Sequence, residues 1–219
     1  MALSPIHETM RRLTHTLNEM QIPFAIAGAM AANAHGHRRT TADIDILICR
    51  EDLQRLQQRL KQLYTVQGWL DTVAGSKNFR DTIHGVKIDT LIVGDFPGDG
   101  LPKPVAFPEP VTVSETGDDG IPYVSLNTLL ELKLASGVKA AHRPQDLADV
   151  IELIRVNRLP LEHSNLLNPY VAEKFCELWR AAQTIDDSSS GSLNRLNAGR
   201  VPATAAPGEG RRSDAFSRP

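Results

Sequence analysis

Apolar positions recur at Ile6, Met10, Leu13 and Leu17, the spacing of one helix face. They predict a first helix over residues 5–20, with Ser4 as its cap and Pro5 in its first turn. A polar break with Pro23 gives way to the short apolar run Phe24 to Ala27, read as a buried strand that Gly28 ends. The small residues Ala29 to Ala34 predict a short helix stopped by Gly36, and His37 to Thr41 a polar, basic loop. Period two then appears in Asp43 to Cys49, with Asp43 and Asp45 on one face and Ile44 and Ile46 on the other. Leu53, Leu56, Leu60 and Leu63 line one side of an amphipathic helix over residues 51–63.

Two further strands are predicted at residues 73–84 and 86–93, joined near Gly85, with Asp89 between Ile88 and Thr90. Residues 94–110, rich in Gly and Pro, predict an extended loop, and 111–113 and 121–124 two short strands around SETGDDG. From Ser125, a good cap, the period becomes helical. Leu126, Leu129, Leu130 and Lys133 lie close in angle, SGVKAAHR reads as a loop, and Pro144 opens a second helix on Leu147, Val150, Ile151 and Ile154. A third helix spans residues 169–184. The chain is therefore divided into an α/β core over 1–124, a helical segment over 125–185 and a disordered tail over 186–219, where large apolar residues are scarce.

Composition changes this picture little. The 219 residues are 41% hydrophobic, enough for one good core, and a formal charge of −2 gives no global attraction to nucleic acid or anionic membrane. Any basic site is therefore local. Two cysteines, Cys49 and Cys176, lie far apart and read as free thiols. The N-terminal MALSPIHETMRRL lacks a signal-peptide run, and no segment approaches 18 apolar residues, so a cytoplasmic protein without membrane association is expected.

The chemistry concentrates in residues 24–48. Asp43 and Asp45 occupy alternate strand positions, so both carboxylates project the same way, and they repel unless a cation sits between them. Oxygen-liking Mg²⁺, or Mn²⁺ in its place, answers that need. If the strand bearing Asp89 pairs beside them, three carboxylates converge on one site. Gly28 permits a ligand to approach closely, the following helix start offers free N–H groups to a triphosphate, and His37, Arg38 and Arg39 bring positive charge beside the acidic pair.

These residues in this order resemble the nucleotidyltransferase-like superfamily, with the closest likeness to bacterial abortive-infection toxin-type proteins and their uncharacterised relatives. Gly28 falls on the first motif glycine, Asp43 and Asp45 on the metal-binding pair, and Asp89 in GVKIDTLIV on the third carboxylate. Asn33, Gly36, Arg39 and Thr41 fall on frequent polar positions of that subgroup's longer signature. Lys133, Arg143, Asp146 and Asp149 fall on residues flanking the substrate cleft. The resemblance covers residues 20–156 and departs from the pattern at Ala29, where a Gly or Ser is usual.

The resemblance implies a mixed sheet with flanking helices and a C-terminal helical segment closing the cleft. It also implies Mg²⁺-dependent transfer of a nucleoside monophosphate from an NTP to an acceptor hydroxyl. Asp43, Asp45 and Asp89 are the expected metal ligands and catalytic groups, and Gly28, Ala29, Arg39, Thr41, Lys133 and Arg143 the expected nucleotide contacts. The acceptor is left open among tRNA, a protein hydroxyl and a small molecule, and a cognate antitoxin protein is an expected partner. Against this stand a nucleotide-binding or regulatory protein of the same fold without transfer, for which Ala29 speaks, and a scaffold acting through its arginine-containing tail. The simpler readings of the remaining residues are a solvated surface for Lys139 and Arg143, a snorkelling side chain for Lys133 and dipole-matching acids for Asp146 and Asp149. His35, His37 and His142 read as loop or surface histidines, and Trp69 and Trp179 as core or interface residues.

Overall fold

The computed structural model describes residues 4–63, 70–72, 77–139 and 143–197. The described elements run α1 (Pro5–Glu19), β1 (Phe24–Ile26), α2 (Gly28–Ala34), β2 (Asp43–Ile48), α3 (Arg50–Leu63), β3 (Leu70–Thr72), β4 (Phe79–Asp81) and β5 (Lys87–Ile92). They continue as α4 (Pro110–Val113), β6 (Ser114–Thr116), β7 (Pro122–Val124), α5 (Leu126–Lys139), α6 (Pro144–Val156), a 3-10 turn (Leu161–Leu166) and α7 (Pro169–Asn197). A central mixed sheet is flanked by helices and followed by a helical segment, the expected fold class.

The sheet has seven strands in the order β3-β4-β5-β2-β1-β7-β6. β2 lies at its centre, antiparallel to β1 and parallel to β5. The alternation in DIDILI explains this placement: Ile44, Ile46 and Ile48 are fully buried on one face, while the other grades from exposed Asp43 through half-buried Asp45 to buried Leu47. α1 follows its predicted stripe, with Met10, Leu13 and Leu17 in the core. Ser125 caps α5 by accepting a hydrogen bond from the Thr128 N–H at 3.4 Å.

Several expectations are corrected. Residues 111–113 are not a strand but part of α4, because Pro110 sets a helical φ at its first turn; the strand begins at Ser114 and pairs with Val124. SGVKAAHR is not wholly a loop, since α5 continues to Lys139. A Cβ on Gly137 would stand 2.4 Å from Leu147 Cδ2, so this glycine admits α6 against α5 rather than ending the helix. The strand expected over 73–84 is narrower: β4 holds only Phe79–Asp81, β3 was not anticipated, and residues 73–76, like Trp69 and His142, lie outside the described residues.

The chain divides into two compact units, Met1–Gln183 and Thr184–Pro219. The sheet, the helices before α7, the part of α7 up to Gln183 and the site below belong to the first. In the second, the described backbone is helical to Asn197, past residue 186, where the composition suggested a tail to begin; residues 198–219 lie outside the described residues. Among the described residues no helix is long and apolar enough to cross a membrane.

Candidate functional site

The register of the two central strands brings the acidic residues together. β2 and β5 run parallel with Asp43 opposite Lys87, Asp45 opposite Asp89 and Leu47 opposite Leu91. Asp45 and Asp89 are therefore direct neighbours on one sheet face, about 4.8 Å apart at the backbone, and Asp43 stands one pleat along. Above this face opens a cleft of about 320 Å³. Asp43 and Asp45 line it, and so do all six residues expected to contact nucleotide: Gly28, Ala29, Arg39, Thr41, Lys133 and Arg143. Asp89 does not reach the cleft wall.

Gly28 is required by its neighbour. Its φ is +57°, and a Cβ there would stand 1.8 Å from Asp45 Oδ2. The β1–α2 turn thus presses backbone against the Asp45 carboxylate, while Ala29 beside it is buried. Burial, above all, and then the charge of Asp89 push the Asp45 pKa up to about 6; Lys133 opposes that shift, and Asp43 and Asp146 add to it. Asp43 is held by Thr41, whose Oγ1 donates to the Asp43 carbonyl at 3.2 Å and accepts from its N–H at 3.4 Å.

Lys87, two positions before Asp89, was not singled out from sequence. Its Nζ lies 2.8 Å from each Asp89 oxygen and hydrogen-bonds Oδ2, whereas Oδ1 is buried and has no hydrogen-bond partner. The hydrogen bond to Asp89 raises the Lys87 pKa; desolvation opposes this, and the charges of Asp89, Asp43 and Asp45 reinforce it.

The opposite wall is built on Asp149 of α6, whose side chain is fully buried. Lys133 Nζ donates to its Oδ2 at 2.6 Å and Arg39 Nη1 to both its oxygens at 2.8 and 2.9 Å. Gln145 Nε2 donates to Oδ1 at 3.0 Å, and His37 Nε2 lies 3.2 Å from the same atom. Burial alone would raise the Asp149 pKa; the Lys133 charge and the hydrogen bonds from Lys133, Gln145 and Arg39 override it and hold the group at about 2. Asp146 joins through Lys133 at 3.3 Å and the Ser136 hydroxyl at 2.7 Å, with Arg143 3.8 Å away. Asp149 is thus a hub that fixes two cleft cations rather than a surface acid matching a helix dipole.

Asn33 explains why the basic loop sits here. Its side-chain amide accepts from the Arg39 N–H at 2.8 Å and donates to the Arg39 carbonyl at 3.1 Å, clamping the loop to α2. His35 Nε2 lies 2.8 Å from the Val124 carbonyl, and Asn157 donates to the His35 carbonyl at 3.0 Å. The loop over 94–110, read from sequence only as extended, supplies a third wall through Pro97, Gly98 and Phe107. A Cβ on Gly98 would stand 2.9 Å from the Ser136 carbonyl, so glycine lets the loop lie directly on α5. Away from the cleft, Trp179 Nε1 donates to the Leu159 carbonyl at 2.8 Å, and both cysteines are free and half-buried.

Among the described residues, no three His, Cys, Asp or Glu side chains are gathered closely enough to hold a metal ion as they stand. The donor set nevertheless suits a hard cation: three carboxylates share one face, one carries a buried oxygen held by an ion pair and no hydrogen bond, and another is raised in pKa by burial first and then by its neighbours' charge.

No protein-family model and no curated protein matches the chain. Among solved structures it is similar to a candidate nucleotidyltransferase from Thermotoga maritima, at 16% identity and TM-score 0.45 over 67% of this chain and 93% of that one. It is also similar to the antibiotic-resistance factor ANT(2'')-Ia, at 15% identity and TM-score 0.46 over 87% and 96%. A third likeness is to an antigenic nucleotidyltransferase-like protein from Paracoccidioides brasiliensis, at 13% identity and TM-score 0.42 over 87% and 91%. These scores are too low to assign a family.

Proposed function

We propose that this chain is a metal-dependent nucleotidyltransferase, moving a nucleoside monophosphate from an NTP to an acceptor hydroxyl. The observation that carries the reading is the in-register pairing of β2 and β5, which sets Asp43, Asp45 and Asp89 on one face beneath a cation-lined cleft. Asp43 and Asp45, joined by Asp89, would hold Mg²⁺ or Mn²⁺. Bound there, such an ion neutralises phosphate charge and orients the α-phosphorus.

The chain's own residues do the rest. Gly28 lets the triphosphate come close to backbone, and Arg39, Lys133 and Arg143 bring positive charge to it. Thr41 fixes the Asp43 backbone, while Phe107, Leu129 and Leu132 give the cleft an apolar side. The acceptor oxygen bonds to the α-phosphorus as the bond from that phosphorus to the bridging oxygen breaks. Pyrophosphate leaves with that electron pair, and Asp89 takes the acceptor proton.

Incubating the chain with each α-labelled NTP, Mg²⁺ or Mn²⁺ and cell extract tests this reading. The expected result is label on a tRNA, a protein or a small molecule, with pyrophosphate released and both lost in Asp45→Asn. Finding the label only in unreacted NTP would refute transfer. One observation favours a second reading, nucleotide binding without transfer: buried Ala29 offers no hydroxyl where the cleft meets the β1–α2 turn. That reading predicts NTP binding without pyrophosphate. A cognate antitoxin belongs with either, and co-purification of the chain with a neighbouring gene's product would test it.

A further inference from the structure

Lys87 is a cation on the acidic face that the proposed reaction does not use. It rises from the same face as Asp89, in register opposite Asp43, and its Nζ is 2.8 Å from both Asp89 oxygens. Stability explains this contact poorly. The side chains are 41% and 24% exposed, and an exposed ion pair between flexible chains contributes little to folding. Among the described residues Arg80 of β4 stands in register beside Lys87 on the same face, but its Nη1 donates to the Gly85 carbonyl at 2.8 Å, and Lys133 and Arg39 are bound to Asp149, so it is Lys87 that meets Asp89. A lysine on a four-carbon stem is compact, strongly charged and free to swing, so it can stand beside a carboxylate and leave again.

We infer that Lys87 is a built-in competitor for the divalent cation, occupying Asp89 until the ion displaces it. With Lys87 in place, both Asp89 oxygens lie 2.8 Å from its ammonium, the contact a divalent cation has to replace. With Lys87 swung out, Asp89 is free to join Asp43 and Asp45. Lys87 is then a positioning residue that sets how much free cation the site needs, because binding is weakened by the fraction of molecules in the lysine-bound state. This rests on the cation-site reading above.

The test is Mn²⁺ binding to the full chain without nucleotide, followed by electron paramagnetic resonance of the free ion. Lys87→Met is expected to bind Mn²⁺ about tenfold more tightly than wild type. Lys87→Arg, which keeps the charge, is expected to bind no more tightly than wild type, and Asp45→Asn to lose binding. If Lys87→Met binds no better than wild type while Asp45→Asn still loses the ion, the competitor role is wrong and the cation site stands. If none of the proteins binds Mn²⁺, the cation site itself is wrong, and the competitor role falls with it. A Mg²⁺ titration of wild type followed at the Lys87 ε-carbon by NMR needs no substitution: the signal should move as the ion binds, and a fixed signal at saturation overturns the inference.

Discussion

Asp45 and Asp149 face one cleft, and the protein treats these two aspartates in opposite ways. Asp149 is fully buried yet surrounded by Lys133, Arg39, Gln145 and His37, and its pKa is held at about 2. Asp45 is less enclosed, has Asp89 and Asp43 for neighbours, and sits at about 6. Burial pushes both upward, so the partners decide the difference. The α6 wall satisfies its charge internally, as a structural hub should. The β2–β5 face sets three carboxylates against Lys87, which meets Asp89 alone, an excess of negative charge that the proposed cation would offset.

The comparison breaks most visibly at the hub. Asp149→Ala should cost about 3–5 kcal/mol in denaturant unfolding, because it leaves buried Lys133 only its longer contact to Asp146. Lys133→Met in the same chain should recover part of that loss. Gly28→Ala comes next, at about 1–3 kcal/mol, from its left-handed φ and the collision with Asp45. Combining it with Asp45→Ala should relieve most of the collision, leaving only the 3.1 Å approach to the Asp45 Cβ, so a double-mutant cycle should show coupling rather than additivity.

Asp45→Asn should do the reverse and stabilise the protein at pH 7, by about 1–3 kcal/mol. The sign follows from linkage. A folded pKa of about 6 above the ordinary 3.8 means the folded state holds the proton more tightly, so stability is lost as pH rises from about 4 through 6. The advantage of Asp45→Asn should therefore fade as pH falls from 6 to 4. Asp149, lowered to about 2, contributes stability above pH 4 that is lost as pH falls toward 2. Urea unfolding of wild type and Asp45→Asn across pH 2–7 separates the two windows. The smallest effect belongs to exposed Asp43, where Asn should change stability by no more than about 0.5 kcal/mol.

The site was legible in the sequence wherever local periodicity carried it. Alternation in DIDILI gave both the strand and its acidic face, and Gly28 marked a turn that the Asp45 carboxylate does crowd. Asp89 could be set on a strand, but its placement beside Asp45 depends on which strands pair, a long-range outcome of packing. Other features escaped because their cause is tertiary. Lys87 reads as an ordinary strand polar residue until register brings Asp89 and Asp43 to it. Asp149 reads as a dipole-matching acid until α5 and the 37–41 loop close over it, and SGVKAAHR as a loop until Leu147 is seen against Gly137. The cleft wall from Pro97 and Gly98 was hidden for the same reason: only the approach to Ser136 gives the loop its shape.

Isothermal titration of NTP into the full chain, with and without Mg²⁺, probes the unbalanced face most directly. Wild type should bind NTP with a heat that requires Mg²⁺, and Asp43→Ala, whose fold should be undisturbed, should lose that heat. NTP binding that ignores Mg²⁺, or an Asp43→Ala titration indistinguishable from wild type, would contradict a cation site built on Asp43, Asp45 and Asp89.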